Sequence, residues 1–139
     1  MRRVFADSFY FYAWINEDDE SHELALEYSK ESNLSWVTTE WVLCEVADGM
    51  ARPPFRDRFV TFIGGLRGNP FCTIVPSSHD LFDEGLRLYS ERSDKTWSLT
   101  DCISFVVMNR MGIAEALTGD RHFEQAGFKA LLLSPEEMG

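Results

Sequence analysis

Short apolar runs of strand length alternate along this chain with longer segments whose apolar residues recur every three or four positions. Strands separated by helices must be joined by crossovers, and the arrangement that buries both kinds of element is a largely parallel sheet with helices on both faces. Strands are expected at residues 4–6, 36–38, 72–75, 116–118 and 130–133. Helices are expected at 9–16, 24–32, 40–50, 55–66, 79–91, 98–111 and 121–126. Thr38 or Thr39 is placed to cap the third helix, and Pro53 and Pro54 end it and open the next. That next helix is expected to loosen at Gly64, Gly65 and Gly68. Ser77 or Ser78 is placed to cap the fifth, and Gly112 stops the sixth as a left-handed cap. The sixth helix is apolar nearly all round, which implies burial. The expected fold is therefore one three-layer α/β/α domain over residues 1–139, with a mainly parallel five-stranded sheet.

A hydrophobic content of 45% spread over 139 residues, with no linker, low-complexity tract or solenoid repeat, supports one ordinary core and argues against disorder. Cys44, Cys72 and Cys102 are odd in number and lack a CxxC pair, so they read as buried free thiols of a reducing compartment. His22, His79 and His122 are scattered singly and read as surface or packing residues, not as a zinc cluster. Arg2 and Arg3 before an aromatic run superficially resemble a secretion signal, but Asp7 interrupts the run and no small-residue cleavage site follows. No stretch is apolar for long enough to span a bilayer, and a soluble, cytoplasmic protein is expected. The net charge of -10 opposes binding to a polyanion unless cations are grouped. Residues 50–70 do group them, with Arg52, Arg56, Arg58 and Arg67 against Asp57 alone. That segment is either a solvated helix face or a surface for RNA or a protein partner.

Three acids occupy positions where such a fold gathers ligands. Asp7 directly follows the first strand, Asp120 follows the fourth by two residues, and Asp101 lies in the first turn of the buried helix. Carboxylates brought together repel and take up protons unless a hard cation sits among them, so magnesium or manganese is the natural occupant. Such an ion lowers the pKa of a bound water and neutralises charge on a phosphoryl oxygen, which is the chemistry of phosphodiester hydrolysis. Each acid also has a plain structural role open to it, as a helix cap or as a complement to a helix dipole. Glu45 flanks the buried face formed by Val42, Leu43, Val46 and Ala47, as Glu40 does on the other side, and periodicity does not choose between them.

Over essentially its whole length the chain resembles PIN-domain proteins, especially the VapC-like ribonuclease toxins of toxin-antitoxin pairs. The resemblance rests on Val4 to Ser8 around Asp7, on Asp19 with His22 and Ala25, and on Thr38, Thr39 and the run from Val42 to Glu45. Its most specific part is the run from Asp94 to Phe105, followed by Met111-Gly112-Ile113 and Ala116-Leu117-Thr118-Gly119-Asp120-Arg121-His122-Phe123. The resemblance selects Glu45 over Glu40, and it implies a metal site of Asp7, Glu45, Asp101 and Asp120 with Ser8 and Thr100 as auxiliary hydroxyls. Asp94 is expected to pair with Lys95 or Arg92.

It further implies a Mg2+- or Mn2+-dependent endoribonuclease, an RNA substrate, a small antitoxin protein and a homodimer. Trp41, Phe55, Phe59, Phe62 and the four arginines form the candidate partner surface, although those aromatics also have core spacing. Ser8 stands where the family often has Thr, and Gly119 replaces a bulkier residue, which is expected to loosen Asp120. His122 and Phe123 are expected to serve packing or local hydrogen bonding. Two rivals remain: a PIN-like module that binds RNA or protein without cutting it, and a receiver- or phosphatase-type domain. The second would need a lysine at a strand end, where Lys30, Lys95 and Lys129 do not fall.

Overall fold

The structure is a computed structural model that describes residues 1–133. Its elements follow as β1 (Arg2–Ala6), α1 (Ser8–Ile15), α2 (His22–Ser29), β2 (Leu34–Thr39), α3 (Glu40–Gly49) and α4 (Phe55–Gly68), then β3 (Cys72–Val75), α5 (His79–Glu91), α6 (Leu99–Met111), β4 (Glu115–Leu117), α7 (Arg121–Gln125) and β5 (Lys129–Ala130). The five strands lie in the order β3-β2-β1-β4-β5, and every pair is parallel. The chain therefore winds outward from β1 through β2 to β3 and then crosses back to β4. Strand order reverses between β1 and β4, and a crevice opens there at the carboxyl ends of both.

Parallel register puts Val4 beside Trp36 and Phe5 beside Val37, so the two residues of each pair share a face of the sheet. Aromatic rings build a core on each face. On the Trp36 side, Trp14 lies 6.4 Å from Trp36 and 4.8 Å from Phe62, whose ring meets Phe11 at 5.6 Å. On the Phe5 side, Phe123 lies 6.3 Å from Phe5 and 4.9 Å from Phe105, which packs on Trp97 at 5.0 Å and Phe128 at 5.6 Å. Burying rings on both faces gives the three-layer α/β/α arrangement expected from the sequence.

The caps explain why the sixth helix begins and ends where it does. The Ser98 hydroxyl accepts from the Asp101 amide and the Asp101 carboxylate accepts from the Ser98 amide, a reciprocal box that satisfies two free donors. Gly112 closes the helix at φ 67°, a left-handed conformation that costs glycine nothing. Thr39 and Ser78 are the residues that cap α3 and α5.

The structure corrects several local expectations. Helix α4 runs through Gly64 and Gly65 to Gly68, because Phe59, Phe62, Ile63 and Leu66 anchor it to the core and outweigh the roughly 1 kcal/mol that each glycine forfeits. Strand β5 is confined to Lys129–Ala130, although the Leu131 and Leu132 amides still donate to the Ala116 and Thr118 carbonyls, and Leu132 and Leu133 are buried beyond it. Strand β4 ends at Leu117, one residue short of the expected bound, although the Thr118 carbonyl still accepts from the Leu132 amide. Cys44 is exposed and Cys72 half-buried, leaving Cys102 as the one buried thiol of the three. Among the described residues, no helix is long and apolar enough to cross a membrane.

Helices α5 and α6 pack at Gly85, where an added Cβ would lie 2.3 Å from Ile103 Cγ1 and 3.3 Å from Ile103 Cα. Gly85→Val should therefore lower the unfolding free energy by about 1–3 kcal/mol through overpacking. A urea midpoint equal to that of the wild type would show that the two helices can part at no cost.

Candidate metal centre

Asp7 is the first residue beyond β1 and occupies the N-cap position of α1, yet its carboxylate makes no capping hydrogen bond. It is 3% exposed, and its Oδ2 accepts instead from the Thr118 hydroxyl at 2.8 Å. The β1–β4 register, Phe5 beside Ala116 and Ala6 beside Leu117, brings Thr118 to this place. The same hydroxyl accepts from the Asp120 amide at 3.0 Å, so one side chain fixes the acids beyond both strands. From the other side, Ser8 Oγ donates to Glu45 Oε1 at 2.5 Å and Tyr12 Oη donates to the Glu45 carbonyl at 2.8 Å, which ties α3 to α1. Glu40 is turned elsewhere, accepting from the Ser77 amide and hydroxyl, so it is Glu45 that stands beside Asp7.

Asp101 and Asp120 enter from α6 and from the start of α7. Asp101 Oδ2 accepts from the Ser98 amide at 3.1 Å and faces His122 Nδ1 at 3.0 Å. Asp120 Oδ1 accepts from the His122 amide at 2.9 Å and lies 3.4 Å from His122 Nδ1. Among the described residues, Asp101, Asp120 and His122 form a group whose potential ligand atoms all lie within 4.8 Å of one another. Asp7 and Glu45 fall outside that tight group but share its field. Burial first, and then the charges of Asp101 and Glu45, push the Asp7 carboxyl up to about 7, against the lowering effect of the Thr118 hydroxyl and the Ser8 amide. Tyr12 is likewise held above its usual range, by burial first and then by Glu45, Asp48 and Asp7.

The plain and the chemical roles of these acids turn out to be compatible. Asp101 and Asp120 both cap helices, but each spends a single oxygen on it. In Glu45, Asp101 and Asp120 one carboxylate oxygen takes all the hydrogen bonds, and the other takes none among the described residues. Buried and half-buried like charges brought together with spare oxygens form a donor set that suits a hard divalent cation.

The other expected residues separate into near and far. Ser8 is committed to Glu45, and Thr100 precedes Asp101 in the first turn of α6. Arg52, Arg56, Arg58 and Arg67 lie on α4 and the loop before it, exposed and without an ion pair among the described residues. Arg67 lines a groove with Glu40, Leu43, Cys44, Phe59 and Ile63, while Arg58 stacks on Phe55 at 5.4 Å. Asp94 pairs with Arg92 through both carboxylate oxygens, at 2.9 and 3.0 Å. Gly119 does not loosen Asp120: a Cβ there would lie 2.5 Å from Phe9 Cζ, so the Phe9 ring fills the space a bulkier residue would take. His122 is the site residue that the sequence undervalued. The available signal was its position two residues after Asp120 at a helix start, where the amide folds back onto the capping acid.

Comparison with known proteins agrees with this geometry. The signature of the PIN domain matches residues 4–129. The fold is similar to the crystal structure of VapC20 from Mycobacterium tuberculosis, described as a sarcin-ricin loop cleaving toxin. The TM-score is 0.78 and the identity 25%, over 90% of this chain and 95% of that one. No curated protein sequence gives a significant match.

The raised Asp7 carboxyl has a consequence for stability. In the folded protein it holds its proton up to about 7, against an ordinary value of 3.8, so the fold without metal binds that proton more tightly than the unfolded chain does. The contribution is therefore full below the unfolded value, falls as pH rises through the window between the two, and is lost above the folded value. In chelator, wild-type stability should drop from pH 4 to pH 8, while Asp7→Asn stays flat through this window and exceeds wild type at pH 8 by on the order of 2 kcal/mol. Urea unfolding at the two pH values reads this directly. A wild-type midpoint that holds or rises would mean that Asp7 stays ionised.

Proposed function

The chain belongs to the PIN-domain family, and on that premise we propose that it is a divalent-metal-dependent endoribonuclease acting as the toxin of a toxin-antitoxin pair. The observation that carries this reading is the gathering of Asp7, Glu45, Asp101 and Asp120 at the switch point of the sheet, three of them with a spare oxygen. These four acids would hold Mg2+ or Mn2+. When bound, the ion supplies a water of lowered pKa and positive charge against a phosphoryl oxygen during in-line attack.

The chain's own residues set up that chemistry by position. Thr118 holds Asp7 and the Asp120 backbone at fixed separation, and Ser8 turns Glu45 inward. The Thr100 hydroxyl, unpaired among the described residues and next to Asp101, is placed to meet a water or a phosphate oxygen. Packing of Phe9 on Gly119 keeps the Asp120 loop from shifting as charge builds up. Preorganisation of this kind lowers a barrier because the groups need not reorient during the reaction.

Likeness to a toxin that cleaves the sarcin-ricin loop makes structured ribosomal RNA the first substrate to try. The exposed arginines of α4 give a strongly acidic protein a local surface for an RNA backbone or an acidic antitoxin segment. The groove between α3, α4 and β3 offers apolar seats beside Arg67 for that antitoxin. A second copy of the chain would cover Phe82, Leu86 and Tyr89, which are spaced along one side of α5 with 40–50% of their surface exposed. All of these partners place the protein in the cytoplasm.

The test is cleavage of total and ribosomal RNA with Mg2+, with Mn2+ and with chelator. Cleavage should require the metal, and Asp7→Asn or Asp101→Asn should reduce it by more than the roughly 10–100-fold typical of changes outside the ligand shell. RNA that binds but stays whole with every metal would favour a non-cleaving module. Expression should arrest growth and be relieved by the product of a short adjacent reading frame; harmless expression of an active nuclease would favour a housekeeping role.

A further inference from the structure

His122 holds both acids of the second half of the site. Its amide donates to Asp120 Oδ1 at 2.9 Å, and its ring Nδ1 lies 3.0 Å from Asp101 Oδ2. On the far side of the ring, Nε2 meets the Thr96 hydroxyl at 3.3 Å. The loop carrying Thr96 is tied to the same short helix by Trp97 Nε1, which donates to Gln125 Oε1 at 3.0 Å. Trp97 in turn is buried against Phe105 of α6, so the loop, α6 and α7 form one packed unit around the imidazole.

From this arrangement we propose that His122 is a positioning residue for Asp101, with Thr96 setting the plane of its ring; the assignment rests on the metal-ribonuclease reading above. The Ser98 amide and His122 Nδ1 converge on Asp101 Oδ2, and Oδ1 accepts nothing among the described residues. A carboxylate held by two donors on one oxygen cannot rotate without breaking both bonds, so Oδ1 is presented to the ion in one orientation. Removing the ring leaves a single hold from Ser98, and the ligand oxygen then samples orientations that it must give up each time an ion binds.

The same geometry argues against His122 as a ligand in its own right. Both ring nitrogens already have partners, and a ligating nitrogen needs an uncovered lone pair. Mg2+ also prefers oxygen, which the neighbouring carboxylates supply. The role is that of the partners that orient first ligands elsewhere, with the usual order inverted, because here an imidazole holds a carboxylate.

The experiment uses the full-length chain and its variants His122→Ala, His122→Asn and Thr96→Val. Mn2+ binding is followed by the loss of the free-ion EPR signal, and cleavage is followed against Mg2+ concentration. His122→Ala should weaken Mn2+ binding by about tenfold or more and shift the Mg2+ requirement upward by a similar factor. His122→Asn places an amide N–H close to the position of Nδ1 and should recover most of that loss. Thr96→Val should fall between wild type and alanine, and because Thr96 sits in an exposed loop it carries the test if the alanine variant fails to fold. If the wild type binds Mn2+ and both His122→Ala and Thr96→Val bind it equally well, the assignment is wrong. Asparagine as poor as alanine would also overturn it, because the ring would then act as a ligand. A wild type that binds no Mn2+ would overturn the metal reading beneath it.

Discussion

A single hydroxyl joins the two halves of this molecule at the point where its sheet changes direction. Thr118 donates to Asp7 and accepts from the Asp120 amide, and its place one residue beyond β4 puts the hydroxyl between the two acids. β1 and β4 are neighbours 111 residues apart in sequence at that bond, so the contact forms only once the intervening six helices and two strands are in place. The rest of the site is arranged around it. Glu45 comes in through Ser8 on one side, and Asp101 comes in through His122 on the other.

The site illustrates how a fold tolerates an arrangement that is locally unfavourable. Asp7 is buried with other acids in its field, and both conditions penalise its ionised form. The aromatic cores on the two faces of the sheet carry the stability that makes this bearable, and the caps at Thr39, Ser98 and Gly112 bound the helices that deliver Glu45 and Asp101. Asp101 and Asp120 show the economy of the design at the level of single atoms. One oxygen of each completes a helix start and the other accepts nothing among the described residues, so capping does not use up the donors that the proposed metal site requires. Under the proposed ribonuclease reading, a protein of net charge -10 would have to bring an anionic polymer to an acidic site, which gives the arginines along α4, without an ion pair among the described residues, their interest.

Some features were legible from the residues because they depend on neighbours in sequence. Periodicity and cap chemistry gave the order of strands and helices, placed β3 and α5 at their observed bounds, and predicted the left-handed stop at Gly112. The acids beyond β1 and β4 stood out for the same reason, since an aspartate within a few residues of a strand end is a local pattern. Composition alone was less informative for Cys44, whose exposure depends on which side of α3 meets the core, and for the last strand, which ends at Ala130 before the buried leucines.

What the order of residues determined by itself was therefore the alternating plan of the fold and a short roster of acids at its strand ends and helix starts, because both follow from interactions a few positions apart. Only the folded chain turned Glu45 to Ser8 and Glu40 to Ser77, filled the space beside Gly119 with the ring of Phe9, and set His122 between Asp101 and Asp120. Those outcomes depend on which surfaces meet across the sheet. No local pattern encodes the distance between two side chains that become neighbours only when distant segments pack together.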